Sequence, residues 1–440
     1  MKFIRDKFSL GLLVISISLF LYTIYKSQFF IEENVNIFLF KKYFIISILL
    51  FIFAIITFFI KNEIKEYLII ISISIIFSIY SLETYLLYKD YSKKNKLKDI
   101  KKLSKRVYEN SSGKKYEIRN IKKFYLDKKK KDTQIKLSIA PITHINKNNF
   151  FPFSGISTSK TIHCNENGYY SMYESDRFGF NNNDKVWDKN SIEYLLIGDS
   201  FTHGACVNRE GNISSNLELL SKSTVLNLGF SGNGPLIEFA TLREYLMPNV
   251  NKILWIYYEN DLENLSIELK NPILQKYIQS ANFSQNLKNR QNEIDNYLDE
   301  YAIKNFSDKE HNKKNTFSYL IRFIELQNLR NYLFSQQQLP IEKFKKIAQL
   351  TKDLSLKNKS ELYFIYLPSY SQLRTSIQSE NFLIIKDIIN ELDIEFINVH
   401  NELIKEENEP IHFFSLKGFG HYNLEGYKTV ANIIFKLIGD

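Results

Sequence analysis

Residues 194–204 could support nucleophilic chemistry, because an apolar run of strand length ends there in Gly198-Asp199-Ser200. A buried strand that delivers a serine into a tight turn before a helix is a common way to present a nucleophile. The hydroxyl then meets solvent, and the backbone N–H groups of the turn face the same way. The G-x-S-x-G elbow is not present, since Thr202 stands where that motif needs its second glycine. An ordinary strand-to-helix turn has similar residues, so the tripeptide needs support from the rest of the chain.

Three later loops carry groups that would complement a serine. Ser231-Gly232 follows a predicted strand at 224–228, and Asn260 follows another at 252–258. His421 stands just before the closing helix of the chain. Loops at the carboxyl ends of parallel strands meet at one edge of the sheet. A serine, a glycine N–H, an amide and an imidazole at one edge are what acyl transfer needs, namely a nucleophile, oxyanion donors and a base.

Strand and helix patterns alternate from residue 194 to the end of the chain. The predicted strands are 194–197, 224–228, 252–258, 362–367 and 395–399, and the predicted helices are 212–220, 236–246, 340–356, 382–392 and 424–438. Such alternation predicts an α/β domain with a parallel sheet and helices on both faces. We expect this domain to span 141–440. It begins with short strands and turns at 151–155, 164–170 and 174–182.

The domain is interrupted by a polar, mainly helical insertion at about 262–338. Its helices either cover the site or form a surface excursion, and the sequence does not separate these two readings.

The N-terminal part of the chain is apolar. Segments 8–25, 43–60 and 67–88 are each close to the roughly 20 residues that cross a bilayer as a helix. No small-residue cleavage site follows the first segment, so we predict a three-helix transmembrane anchor over 1–88 and not a signal peptide.

A basic linker is predicted over 89–140. Residues 89–136 contain nineteen Lys or Arg and six Asp or Glu. The formal net charge of the whole chain is +10, and the chain outside this stretch has a net charge of −3. The linker is either a solvated spacer or a segment lying on anionic lipid. Since the folded part is not basic and carries no known nucleic-acid module, we expect membrane lipid as a partner and no nucleic acid.

Two criteria disagree on orientation in the membrane. Lys2, Arg5 and Lys7 favour a cytoplasmic N-terminus, which places the domain outside after three crossings, whereas the basic residues after the third segment favour a cytoplasmic domain. Cys164 and Cys206 are either two separate thiols or a disulfide, which would require an oxidising compartment. We expect a multi-pass protein of the inner cell membrane with an extracytoplasmic domain.

Residues 190–440 resemble the SGNH (GDSL-type) hydrolase family, because four short sequence motifs match the family's motifs in the same order. These motifs are Gly198-Asp199-Ser200, Ser231-Gly232, Asn260-Asp261 and His421-Tyr422-Asn423-x-x-Gly426. The resemblance implies a flavodoxin-like three-layer α/β/α fold that needs no metal and no organic cofactor. It implies Ser200 as the nucleophile, His421 as the base, and an oxyanion hole formed by the Ser200 N–H, the Gly232 N–H and the Asn260 side chain. Asp199 is expected to order the serine turn.

The chain departs from the family pattern at two positions. The family has Asp three residues before the base, where this chain has Gly418, and Gly two residues before Asn260, where this chain has Tyr258. Loss of the acid of a serine triad costs about four decades in rate. Glu259 and Asp261 are nearby candidates for a substitute acid, and a Ser–His dyad is the alternative.

The function expected from these residues is a membrane-anchored serine esterase or O-acyltransferase. It would act on ester groups, acetyl above all, of a carbohydrate or envelope glycan through an acyl-enzyme at Ser200. Hydrolysis and transfer share that acyl-enzyme, so these residues do not separate them. The alternative is a catalytically weak or inactive SGNH-like module that binds glycan or protein partners.

Overall fold

The computed structural model describes residues 2–31, 38–147, 149–306, 316–334, 339–375, 379–406, 410–415 and 420–439. The chain divides into two compact units. The first comprises Met1–Lys93 with Lys313–Gln336, and the second comprises Lys94–Asn312 with Gln337–Asp440. Part of the predicted insertion is therefore grouped with the apolar N-terminal helices, which the sequence did not indicate.

Helices and strands are numbered in chain order. Before the main sheet come the helices α1 (Lys2–Ile31), α2 (Phe38–Phe58), α3 (Asn62–Ser112) and α4 (Ile121–Lys129), and the strands β1 (Ile135–Leu137), β2 (Lys160–Ile162) and β3 (Met172–Glu174). The first three strands of the main sheet and the helices that connect them are β4 (Ile192–Gly198), α5 (Ser200–His203), α6 (Ile213–Ser221), β5 (Val225–Asn227), α7 (Pro235–Tyr245) and β6 (Val250–Tyr257).

The second half of the chain continues this numbering. The insertion contains α8 (Asp261–Glu268), α9 (Pro272–Gln279), α10 (Gln291–Phe306), α11 (Thr316–Ile324) and α12 (Gln327–Phe334). After it come α13 (Ile341–Lys357), β7 (Glu361–Tyr366), α14 (Tyr370–Thr375), α15 (Glu380–Glu391), β8 (Glu395–Asn398), α16 (Val399–Glu406) and α17 (Leu424–Ile438).

Helices α1, α2 and α3 are each long and apolar enough to cross a membrane. Many of their apolar side chains face outward, among them Ile15, Ile52 and Phe77, as expected of helices whose solvent is lipid. Helix α3 is 51 residues long and runs on through the basic segment. The predicted linker is thus helical as far as Ser112, because the first glycine or proline after the apolar stretch is Gly113.

The main sheet of the second unit is parallel throughout, with the strand order β5-β4-β6-β7-β8. Numbered within the sheet this order is 2-1-3-4-5, the order of flavodoxin-like doubly wound folds. Leu195 and Ile197 are buried on one face, and Tyr194 and Leu196 on the other, because side chains alternate along a strand. Helices α7, α13 and α15 contribute to the first core, and α6, α16 and α17 to the second. The predicted three-layer α/β/α fold is confirmed.

The region before the main sheet differs from its prediction. A second sheet has the order β1-β2-β3, in which β2 pairs parallel to β1 and antiparallel to β3. Residues 151–155 and 164–170, predicted as short strands and turns, contain no strand. Phe151 and Phe153 are fully buried there, with the Phe153 ring 5.6 Å from that of Tyr277, so their alternation reflects core contacts without strand pairing.

Residues 117–140 also belong to the folded second unit, although the sequence predicts a linker there. Helix α4 buries Phe124 and Tyr125, and β1 forms part of the small sheet. The basic residues of this stretch lie around these buried side chains, so its charge composition concealed its core contacts.

Candidate active site

The turn after β4 presents Ser200 at the edge of the main sheet. Asp199 caps the short helix α5, and its Oδ1 accepts the backbone N–H of Phe201 at 2.8 Å. A Cβ at Gly198 would lie 2.1 Å from Oγ1 of Thr202 and 2.4 Å from the carbonyl oxygen of Ile256. Only glycine therefore lets this turn pack so closely on the neighbouring strand. Strand β4 lies between β5 and β6, where the chain order of the sheet reverses and crevices form.

His421 contacts the serine directly. Its Nε2 lies 2.9 Å from Oγ of Ser200, and its ring lies 5.0 Å from that of Phe201. Helix α17 follows at once, and its N-cap Asn423 accepts the backbone N–H of Gly426 at 2.9 Å. The structure thus brings together two residues that are 221 positions apart and that the sequence predicted as nucleophile and base.

The partner of the other ring nitrogen of His421 is Glu166. One carboxylate oxygen of Glu166 lies 3.2 Å from Nδ1 of His421 and accepts its backbone N–H at 2.7 Å. The described residues therefore do not form the Ser–His dyad that was the alternative. Neither of the two candidate acids takes this position, because Oδ2 of Asp261 accepts the backbone N–H of Tyr258, and Glu259 is not among the described partners of His421. Gly418 lies outside the described residues.

A set of cross-links holds the loop that carries Glu166. Cys164, two residues before Glu166, forms a disulfide with Cys206 in the segment after the turn that carries Ser200. The Asn167 side chain donates to the carbonyl oxygen of Cys206 at 3.0 Å. A Cβ at Gly420 would lie 2.7 Å from the carboxylate of Glu166, so the absence of a side chain at that position gives the acid its room.

The charges of this group are coupled. Burial opposes protonation of His421, but Glu166 and Asp199 outweigh it, and the pKa of His421 is raised. Burial alone would raise the pKa of Glu166, yet its hydrogen bonds from the His421 ring and backbone lower it. With Glu166 ionised, the neutral imidazole carries its proton on Nδ1, which leaves Nε2 free to accept the proton of Ser200. Burial raises the pKa of Asp199.

Gly232 and Asn260 are carried by the two strands that flank β4. Gly232 follows β5, and the loop leading from it into α7 is held by Glu268, whose carboxylate accepts the backbone N–H groups of Gly234 at 2.6 Å and Leu236 at 2.9 Å. Asn260 precedes α8, and its half-buried side chain makes no hydrogen bond to the residues that the structure describes. Its amide is thus available to a ligand.

Two buried histidines, to which the sequence pattern gives no role, contact Ser231. Nδ1 of His203 accepts the backbone N–H of Ser231 at 3.2 Å, and its Nε2 lies 3.0 Å from the hydroxyl of Tyr173. Nε2 of His163 lies 2.7 Å from Oγ of Ser231. Burial lowers the pKa of His163 to about 3 and that of His203 well below its usual value, so both rings are neutral. Two uncharged rings therefore contact Ser231, the residue before Gly232.

Tyr258, which stands where the SGNH pattern has glycine, has a packing role. Its ring stacks on Phe201 at 4.1 Å, and Phe201 in turn contacts His421. The large side chain at this position therefore lines the turn that carries Ser200.

A cavity of about 270 Å³ lies next to Glu166. Its lining includes Glu166, Asn167, Ser415 and Asn423, together with Ser104 and Ser111 from the end of α3. Val107, Tyr108 and Tyr116 complete the lining, so polar and apolar side chains share this space beside Glu166.

The same region offers a set of three metal-ligand residues by distance. Atoms of Glu166, Cys206 and His421 lie within 4.8 Å of one another. However, Sγ of Cys206 is bonded to Cys164 and provides no thiolate, and the carboxylate and the imidazole are hydrogen-bonded to each other. These donors fit a proton relay better than a metal.

Neither a protein-family model nor a curated protein matches this chain. Among solved structures, one similar chain is a Desulfitobacterium hafniense protein assigned to the G-D-S-L family of lipolytic proteins. Its identity to this chain is 14% and the TM-score is 0.31, over 56% of this chain and all of the other.

Proposed function

We propose that this protein is a membrane-anchored serine esterase or O-acyltransferase that works through an acyl-enzyme at Ser200. The observation that carries the proposal is the continuous line of contacts from Oγ of Ser200 to His421 and on to Glu166, at 2.9 Å and 3.2 Å. A nucleophile, a base and a carboxylate in this order are the working parts of a serine triad, whatever their order along the chain.

The reaction would follow from these contacts. Oγ of Ser200 attacks the acyl carbonyl while its proton passes to Nε2 of His421, and Glu166 stabilises the resulting imidazolium. The Gly232 N–H, the Ser200 N–H and the Asn260 amide would stabilise the oxyanion. Collapse breaks the ester C–O bond, and His421 returns the proton to the departing alcohol. Water or an acceptor hydroxyl then attacks the acyl-enzyme and gives its proton to Nε2 of His421. The bond between the acyl carbon and Oγ of Ser200 breaks, His421 returns the proton to Oγ, and the carboxylic acid or the new ester leaves.

An acetylated carbohydrate, such as an envelope glycan, is the substrate class that we propose. The resemblance to membrane-anchored SGNH proteins motivates this choice. The proposed non-catalytic alternative relied on a missing acid, and Glu166 removes that reason for preferring it.

The test is labelling of the full chain in detergent with a fluorophosphonate, together with hydrolysis of a small acetyl ester. We expect the wild type to react and Ser200→Ala to lose both signals. Ser215→Ala, on α6, is the matched control and should keep both. Labelling that survives in Ser200→Ala would refute the nucleophile. A folded wild type without labelling or hydrolysis would favour the binding module.

A further inference from the structure

Helix α12 of the insertion is fastened to α3 by a buried carboxylate. Glu83 is fully buried, and its Oε1 accepts the backbone N–H of Asn328 at 3.1 Å and the side-chain amide of that residue at 2.8 Å. Its Oε2 accepts the backbone N–H of Leu329 at 2.7 Å. Glu83 therefore satisfies donors at the first turn of α12, where the positive end of the helix dipole favours an anion. This pairing explains a carboxylate within an otherwise apolar segment.

Helix α11 and the turn after it contact the same group of helices. The Tyr22 hydroxyl donates to the carboxylate of Glu325 at 2.6 Å, and the Tyr80 hydroxyl donates to the carbonyl oxygen of Ile324 at 3.1 Å. The Tyr80 ring lies 5.4 Å from that of Phe323. Tyr22 and Tyr80 lie toward the C-terminal ends of the apolar stretches of α1 and α3, which cross in the same direction if α2 lies between them. On that arrangement the contacts lie in the half of the bilayer nearer one face.

The outer surface of the two helices carries exposed apolar side chains. Leu320, Ile324 and Leu333 are 54%, 58% and 59% exposed. Arg322 and Arg330 are exposed beside them. Short helices that combine exposed leucine and isoleucine with arginine are typical of segments lying in the membrane interface.

We propose that α11 and α12 lie in the lipid interface against α1 and α3. Acyl chains of the bilayer would cover Leu320, Ile324 and Leu333, and lipid phosphate groups would face the two arginines. Lipid is the expected occupant because this surface continues the exposed apolar surface of α1–α3, and because the arginines complement anionic headgroups. The anchor would then comprise three spanning helices and an interfacial pair that returns from the insertion.

The test uses single cysteines introduced into the full chain as Leu320→Cys, Ile324→Cys and Leu333→Cys. Cys164 and Cys206 are disulfide-bonded, so a nitrobenzoxadiazole (NBD) reagent applied without reductant should label only the new thiol. Leu356→Cys is the matched control, because Leu356 is 62% exposed on α13 of the second unit. Each labelled protein is reconstituted into phosphatidylcholine vesicles with and without a nitroxide on the lipid acyl chain. Far-ultraviolet circular dichroism and thermal unfolding show whether each variant is folded.

We expect blue-shifted emission and about twofold or greater quenching by the nitroxide lipid at the three insertion positions, with little of either at the control. Quenching equal to that of the Leu356→Cys control would overturn the proposal. Blue-shifted emission that the nitroxide does not quench, and that is lost when vesicles hold one molecule each, would also overturn it and would assign this surface to a second copy of the chain.

Discussion

Glu166 and His421 are joined twice, through the backbone N–H of His421 at 2.7 Å and through Nδ1 of its ring at 3.2 Å. The backbone contact persists whatever the protonation state of the ring. The ring contact favours the tautomer with the proton on Nδ1, in which the unprotonated Nε2 faces Ser200. The carboxylate beside His421 thus comes from the loop before the main sheet. The motif around His421 has no acid of its own three residues earlier, where Gly418 stands.

Replacing Glu166 with Gln should slow turnover by between about 100-fold and 10,000-fold, because the amide neither stabilises the imidazolium nor enforces the tautomer. The pKa of His421 is raised partly by Glu166, so loss of this charge lowers it. Since His421 must be neutral to act as a base, the acidic limb of the kcat/KM profile should move to lower pH. Glu174→Gln, on the exposed end of β3, should leave both rate and profile unchanged. An unaltered profile in Glu166→Gln would contradict the assignment.

Reduction of the Cys164–Cys206 disulfide should lower kcat, because the bond ties the Glu166 loop to the segment after the nucleophile. It should also lower the free energy of unfolding by about 4 kcal/mol, as expected for a closed loop of 42 residues. The measurement is the acetyl-ester rate before and after treatment with a phosphine. Glu166→Gln provides the control, since reduction should cost it stability but little further activity. A reduced wild type with full kcat would show that the disulfide does not position the acid.

Asn260→Ala should lower kcat by about 100-fold to 1,000-fold with a small change in KM, since an oxyanion donor acts mainly in the transition state. Steady-state kinetics on a small acetyl ester would measure this. Glu263→Ala changes an exposed residue on the same helix, and its kinetics should match those of the wild type. An effect confined to KM would assign Asn260 to substrate binding instead.

His203→Leu should lower kcat more than it changes KM, because it removes the acceptor for the backbone N–H of Ser231 beside Gly232. His203→Asn keeps an acceptor near the position of Nδ1 and should recover part of the loss. Thermal unfolding of both variants separates this positioning effect from general destabilisation. If both variants lose activity equally and in proportion to their loss of stability, His203 has only a packing role.

The sequence by itself determined the strands and helices whose apolar residues recur at a regular spacing. Strand β6 covers Val250–Tyr257 where 252–258 was predicted, and α17 covers Leu424–Ile438 as predicted. Strands and amphipathic helices can be predicted in this way because side chains point to the same face every two residues in a strand and about every 3.6 residues in a helix. The pairing of Ser200 with His421 was also within reach, since both stand at turns next to predicted elements.

Only the tertiary structure decided what supports the base and where the insertion belongs. Glu166 and His421 are 255 positions apart, and Glu166 lies in an irregular loop with no periodic pattern. The one available signal was the cysteine pair, because Cys164 is two residues from Glu166 and Cys206 is six residues after Ser200. Likewise, Glu83 meets α12 across 245 positions, and neither segment indicates the other. Contacts of this kind depend on how loops and helices pack in three dimensions, which hydropathy and spacing along one chain do not encode.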